Sequence, residues 1–156
     1  MYTRITLSAI LLWFFISIST LPLKAQQPSN STAAKLTKGP PDRFLGTVWV
    51  DYMVNDTIND LLVSKVYFEA NARSNWHSHL SRQIILAIEG EGYYKEKGKS
   101  IRKLKKGDVV VIEPGTIHSH GSINSNKFTQ AVMMTGILKK DATTWLNRVT
   151  DEELNK

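Results

Sequence analysis

Short apolar runs separated by turn residues make up most of the chain beyond residue 44. Thr47–Val54 and Leu61–Phe68 are rich in β-branched and aromatic residues, and Phe128–Ile137 has a similar composition, which is typical of strands. We predict further strands at Trp76–His79, Gln83–Ile88, Gly92–Glu96, Ile101–Leu104, Asp108–Ile112 and Ile117–His120, and a chain reversal at Glu89–Gly92. About eight or nine short strands at this spacing predict one all-β domain, a sandwich or barrel, over residues 44–140.

The two ends of the chain have different patterns. Arg4 is followed by a largely apolar segment, Ile5–Leu23, and then by Lys24 and Ala25, which is the order of a secretory signal peptide. We therefore predict a signal at residues 1–25, a flexible polar linker at residues 26–43, and a secreted or periplasmic bacterial location. An uncleaved anchor is the alternative, because the apolar segment is just long enough to span a bilayer.

A short helical tail is predicted at residues 141–156. Asp141 is a plausible N-cap for a helix over residues 141–148, and Thr150–Glu153 has the form of a capping box. Trp145, Leu146 and Val149 are predicted to pack this tail onto the domain.

Charge and cysteine content limit the function classes. Removing Arg4 and Lys24 with the signal lowers the net charge from +6 to +4, a mild excess that does not indicate a nucleic-acid partner. No membrane association is expected after signal cleavage. The basic residues that cluster around the predicted hairpin are interpreted as a solvated turn and edge region: Lys95, Lys97, Lys99, Arg102, Lys103, Lys105 and Lys106. With no cysteine, the domain has no disulfide, and any metal must be bound by nitrogen or oxygen.

All four histidines lie in two His-x-His pairs, His77 with His79 and His118 with His120. Side chains two residues apart on a strand point to the same face, about 7 Å apart. Two such pairs on neighbouring strands can direct several imidazoles to one point, and imidazole is the commonest protein ligand of transition metals. The pattern predicts a mononuclear metal site.

Two longer motifs resemble those of the cupins. Trp76–Gln83 followed by Gly90 resembles the first cupin motif, with two histidines, a Gln and a glycine. Gly107–His118 resembles the second motif, which ends in the third histidine. The resemblance covers about residues 44–137 and implies a jelly-roll-like β-barrel whose metal ligands are His77, His79, Gln83 and His118.

Among cupins, the chain looks most like the small single-domain group that includes manganese-dependent hydroxynitrile lyases and carboxymuconolactone-decarboxylase-associated cupins. That resemblance implies a homodimer and favours manganese as the divalent ion, whereas the donor set alone also suits iron, nickel, cobalt or zinc. The chain departs from the group at Ala70-Asn71, where Pro-Gly is usual, and at Gln130, where related lyases can carry a further histidine.

Three functions are compatible with these residues. The first is an enzyme that uses the divalent metal and His120, as acid or base, on a small oxygenated substrate, as in hydroxynitrile-lyase-like C–C cleavage. Ser74 and Gln130 are candidate substrate contacts. The second is a metal-dependent dioxygenase, although most ring-cleaving cupins carry Glu where this chain has Gln83. The third is a non-enzymatic cupin that binds a small ligand or metal.

Overall fold

The computed structural model describes residues 36–155, which form an almost entirely β structure. The elements are β1 (Thr37–Lys38), β2 (Phe44–Leu45), β3 (Val48–Asp56), β4 (Leu61–Phe68), β5 (Arg73–Ser74), β6 (His77–His79), β7 (Gln83–Glu96), β8 (Arg102–Lys105), β9 (Val109–Ile112), β10 (His118–Ser122), β11 (Phe128–Thr135), β12 (Thr143–Trp145) and α1 (Asp151–Leu154). The predicted all-β class is confirmed, and a short helix is present near the C-terminus.

Strand β7 connects two curved sheets. Its first half pairs with β11 and β9, and β11 continues through β4 and β3 to β1. Its second half pairs with β10 and β8, and β10 continues to β5 and β2. The short strand β6 pairs with β10 on one side and β12 on the other. Every pairing between these strands is antiparallel, as expected for a jelly-roll-like barrel.

Alternating side chains from both sheets form the core. On β4 the buried positions include Val66 and Phe68, and on β7 they include Ile85. From the other sheet, Tyr94 and Leu104 join the same apolar cluster. The alternation of buried and more exposed side chains that predicted these strands therefore also determines which side chains form the core.

One predicted turn is wrong. Glu89–Gly92 does not reverse the chain, because β7 runs without interruption from Gln83 to Glu96. The pairing with β11 shifts in register beside Gln130, and Gly90 has a φ of 75°. A Cβ atom at Gly90 would collide with the carbonyl oxygen of Lys127. The glycine pattern therefore marks a bend where two backbones approach closely, rather than a turn.

The predicted signal peptide at residues 1–25 lies outside the described residues, as does most of the predicted linker. Inside that linker, Thr37 and Lys38 form β1 and pair with Val50 and Trp49. Ordered structure therefore begins before residue 44, the start that we predicted for the domain. Over residues 36–155, no helix has the length and apolar character that crossing a bilayer requires.

The C-terminal tail is helical only in part. The capping box is confirmed, because Thr150 accepts a hydrogen bond from the Glu153 backbone and Glu153 accepts one from the Thr150 backbone. The helix predicted at residues 141–148 is wrong: Asp141 has a φ of 58°, and Thr143–Trp145 forms β12 against β6. Pairing with an open strand edge outweighs helical spacing in this short segment.

Two local expectations can also be compared with the structure. Asn71, at the position where the resemblance leads one to expect glycine, adopts a φ of 61°, a left-handed conformation that asparagine tolerates better than most residues. Lys95 is not solvated as expected. It is buried, and its ammonium group donates a 2.8 Å hydrogen bond to the carbonyl of Lys99.

Candidate metal centre

The two His-x-His pairs lie on adjacent strands. β6 carries His77 and His79, β10 carries His118 and His120, and the pairing register places His77 directly opposite His118. Within each strand the two histidines share a face, as the period of two predicts. All four imidazoles are buried.

Three of the four rings converge. One ring nitrogen from each of His77, His79 and His118 lies within 4.8 Å of the others, a spacing that can hold one metal ion. The side-chain amide of Gln83 joins them, with its Oε1 2.9 Å from Nε2 of His118. The structure thus brings together the four predicted ligands, from the first residue of β7 and from both histidine strands.

Hydrogen bonds on the far side of the rings determine which nitrogen faces the centre. Nδ1 of His77 lies 2.9 Å from the Asn75 carbonyl, and Nδ1 of His118 lies 2.9 Å from the Thr116 carbonyl. A carbonyl oxygen only accepts, so both Nδ1 atoms donate and both Nε2 atoms carry lone pairs. Metal-binding histidines are usually oriented by such outer hydrogen bonds.

The third ring has a similar arrangement. Nδ1 of His79 lies 2.9 Å from Oγ1 of Thr143, which can accept its hydrogen. Strand β12 therefore supplies one outer contact of the centre. Sequence reasoning missed this role because it assigned Thr143 to a helix, although two adjacent threonines before Trp145 were a signal for a strand.

Two features of the inner side fit a bound cation. Nε2 of His118 and Oε1 of Gln83 are both acceptors, yet they lie only 2.9 Å apart, so the two atoms have no hydrogen to share. Nε2 of His79 is buried and makes no regular hydrogen bond within residues 36–155, although the amide of Gln83 lies nearby. Buried polar atoms without partners are rare, and a divalent ion at this point satisfies all of them. The residues therefore fit a bound metal.

Burial keeps the three rings neutral. Burial, together with the neighbouring His118 imidazole, lowers the pKa of His79 to about 4. Burial and the neighbouring imidazoles also lower the pKa of His77 well below its usual value. Burial also lowers the pKa of His118. A neutral ring is the form that binds a metal, so the lone pairs are available at neutral pH.

The inner ligand set carries no charge, since it consists of three imidazoles and one amide. A divalent ion held there keeps its full positive charge, which strengthens it as a Lewis acid but weakens its retention. Gln83→Glu is therefore expected to tighten binding, by at least the roughly 10- to 100-fold that outer-shell residues contribute. Titration calorimetry with Mn²⁺ and Zn²⁺ measures the change.

The control for that variant is Asn155→Asp, which makes the same amide-to-carboxylate change at an exposed residue outside the ligand cluster. It is expected to leave the affinity unchanged. Equal affinities for wild type and Gln83→Glu would contradict the assignment of Gln83 as a ligand.

A cavity of about 450 Å³ gives access to the centre, a volume suited to a small organic molecule. Its lining includes His77, His79, Gln83 and His120. The remaining lining is mainly apolar and includes Val50, Val66, Val132, Met134 and Trp145. Three basic side chains also line it: Lys38, Arg43 and Lys139. Trp145 stacks on His77 with ring centroids 4.6 Å apart, which adds an aromatic wall that the sequence pattern did not reveal.

His120 lies beside the three-histidine cluster without belonging to it. It lines the cavity, and its ring centroid is 5.2 Å from that of His77. Its Nδ1 contacts Nε2 of Gln130 at 3.0 Å, and burial lowers its pKa well below the usual value. Phe68 packs edge-on against it at 5.7 Å.

The two predicted substrate contacts do not line the cavity. Ser74 is fully buried, where its Oγ accepts a hydrogen bond from the His120 backbone at 3.1 Å and donates to Oγ of Ser119. Gln130 is also fully buried and contacts the His120 ring. Ser74 thus supports the backbone of His120 and Gln130 contacts its ring, and neither residue reaches the open space of the cavity.

Comparison with known proteins identifies the family. The sequence model of the family described as Cupin domain matches residues 64–134. The (R)-mandelonitrile lyase of Granulicella tundricola is 32% identical over 120 residues, which are 76% of this chain and 91% of the relative. The chain is a cupin. The motif resemblance is thereby confirmed.

Two further comparisons differ in coverage. A crystal structure of a cupin-like protein from Thermotoga maritima superposes with a TM-score of 0.72 and is 40% identical, covering 76% of this chain and 90% of that one. The acireductone dioxygenase of Puccinia graminis f. sp. tritici is 30% identical over 86 residues, but the match covers only 45% of its length and 51% of this chain.

Proposed function

We propose that this cupin is a metal-dependent enzyme that cleaves a bond in a small oxygenated substrate, with C–C cleavage of a cyanohydrin as the model reaction. The observation that carries the proposal is the convergence of three imidazoles and one amide beside a cavity whose lining also includes a fourth histidine, His120. Similarity to a mandelonitrile lyase along almost the whole length of that relative supports the reaction type.

The site residues divide into three groups. His77, His79, Gln83 and His118 would hold the ion, and the ion would supply a Lewis acid for a substrate oxygen. Val66, Val132 and Trp145 help to form walls that limit water around the reacting atoms. His120 is placed to exchange a proton with the substrate without being a ligand of the metal.

Metal identity, export and assembly are parts of the same proposal. Manganese is proposed from the resemblance to manganese-dependent lyases, and elemental analysis of protein from its native compartment tests it against iron, nickel, cobalt and zinc. A secreted or periplasmic homodimer that acts on a small molecule is proposed on the sequence pattern and the same resemblance.

A dioxygenase is the second candidate, favoured by the partial similarity to an acireductone dioxygenase. Neutral Gln83 argues against it, since most ring-cleaving cupins carry Glu at this position. Oxygen uptake by iron-loaded protein with a panel of flavonols separates the two reactions. Protein that binds metal but turns over nothing in either assay would support a binding module instead.

His120→Ala is expected to lower kcat for mandelonitrile cleavage by manganese-loaded protein roughly 10²- to 10⁴-fold, the usual contribution of a positioned acid or base. Release of benzaldehyde and cyanide measures the rate, and the metal content is expected to stay at the wild-type level because His120 lies outside the ligand cluster.

Leu80→Ala, at an exposed residue beside β6 and outside the cavity lining, is the matched control. Equal rates for wild type and His120→Ala would remove His120 from the reaction. No turnover by fully loaded wild type would remove the lyase proposal itself.

A further inference from the structure

The four histidines differ in what their Nδ1 atoms contact. For His77 and His118 the contact is a backbone carbonyl, which requires hydrogen on Nδ1. For His120 it is the side-chain amide nitrogen of Gln130, which has hydrogens to donate and no lone pair to offer. Nδ1 of His120 is therefore an acceptor, and the single hydrogen of the neutral ring lies on Nε2.

Either end of the Gln130 amide can face the ring, and burial decides between the two orientations. In the observed orientation, the carbonyl oxygen Oε1 of Gln130 and one of its two Nε2 hydrogens have no partner within residues 36–155. Turning the amide over would place the NH₂ group in that same position, with two buried hydrogens unsatisfied. Unpaired buried N–H groups are rarer than under-satisfied carbonyl oxygens, so the observed orientation is the favourable one.

The surroundings leave the ring little freedom to change this arrangement. Gln130 is fully buried on β11, between Val66 of β4 and Ala87 of β7 in the sheet register. The backbone N–H of His120 donates to Oγ of Ser74, which fixes the strand beneath the ring. Both the position of the ring and its Nδ1 contact are thus held by the protein.

We propose that Gln130 is a positioning residue that holds His120 as the Nε2–H tautomer. This tautomer has no lone pair on Nε2, so it keeps the fourth imidazole out of the metal ligand set. It also presents an N–H donor at the cavity, where an acceptor or a developing negative charge on the substrate would be stabilised. The role of His120 toward the substrate rests on the proposed function, and in this tautomer His120 acts as a hydrogen-bond donor and not as a base. The tautomer itself can be measured whether or not the protein turns over a substrate.

Nitrogen NMR of zinc-loaded protein with ¹⁵N-labelled histidine and glutamine side chains tests the tautomer directly, since Zn²⁺ is diamagnetic. The His120 signals are assigned by their loss in His120→Asn. We expect Nδ1 of His120 to have an acceptor-type shift and Nε2 a protonated-type shift, with the opposite pattern for His77 and His118. A protonated Nδ1 on His120 would overturn the proposal.

The role of Gln130 is tested separately with Gln130→Met, which keeps the side-chain length but cannot donate. We expect the two His120 nitrogen shifts to move toward each other as the tautomers mix, while Thr129→Val, on the neighbouring residue of β11, leaves them unchanged. Unchanged shifts in Gln130→Met would show that Gln130 does not set the tautomer.

A measurement on wild type covers the case in which Gln130→Met does not fold. Coupling across the hydrogen bond between the Gln130 amide nitrogen and Nδ1 of His120 is expected, and its absence would overturn the proposal. All of these spectra are independent of turnover, so a protein that cleaves no cyanohydrin could still confirm the tautomer, and an active protein could still refute it.

Discussion

Replacing His118 by alanine is expected to reduce divalent metal binding from one ion per chain to a trace. His118 is in the middle of the site: its ring centroid is 4.2 Å from that of His77 and 5.4 Å from that of His79, and its Nε2 faces Gln83. Loss of outer-shell partners alone weakens metal binding roughly 10- to 100-fold, so loss of a ligand should weaken it by more than about 100-fold. Metal content after gel filtration and titration calorimetry with Mn²⁺ measure the change.

His120→Ala is the matched control for this experiment. It removes an equally buried imidazole two residues further along the same strand, but one that lies outside the ligand cluster. Retention of about one ion per chain by His120→Ala, together with its loss from His118→Ala, would separate ligation from general disturbance of β10. Full metal content in His118→Ala would contradict the proposed centre.

The metal site could be predicted to a large extent because its information is local. A strand period of two places His77 and His79 on one face, and the same period places His118 and His120 on another. The resemblance of the two motifs to those of cupins then indicates that the two histidine strands lie close together and that Gln83 is a fourth ligand. No long-range detail was needed beyond the pairing of β6 with β10.

The contacts around the ligands could not be predicted in the same way. Ser74 and Gln130 were expected to touch substrate, because polar residues near a site favour that interpretation. Gln130 shares a face of β11 with Val132, which does line the cavity, so the period of two cannot separate contact with the cavity from contact with His120. Composition and spacing therefore do not determine which of the two contacts forms.

Local propensity also gave the wrong structure where tertiary pairing dominates. Thr143–Trp145 lies within the helix predicted at residues 141–148 with Asp141 as N-cap, but its backbone pairs with the open edge of β6. The consequence is functional as well as structural, since the same strand brings Thr143 to His79 and Trp145 to His77. The C-terminal segment is therefore part of the candidate site.

Phe128 provides the other large expected effect, on stability. It is fully buried on β11, and its ring stacks on Phe68 with centroids 6.3 Å apart. Gly92 of β7 leaves room for the ring, because a Cβ atom there would collide with it. Truncating such a side chain removes its burial and leaves a cavity, so Phe128→Ala is expected to lower the free energy of unfolding by about 3–5 kcal/mol.

Urea unfolding of metal-free protein measures this loss, since bound metal would add its own stabilisation to the folded state. Val109→Ala, at a half-exposed position on β9, is the control and should cost far less, because the deleted methyl groups already contact water. A loss below about 1 kcal/mol for Phe128→Ala would mean that the sheets close over the missing ring. In that case the Phe68 ring, which packs edge-on against His120, would be expected to move with the sheets, so a small loss of stability would mean that the packing around the fourth histidine has changed.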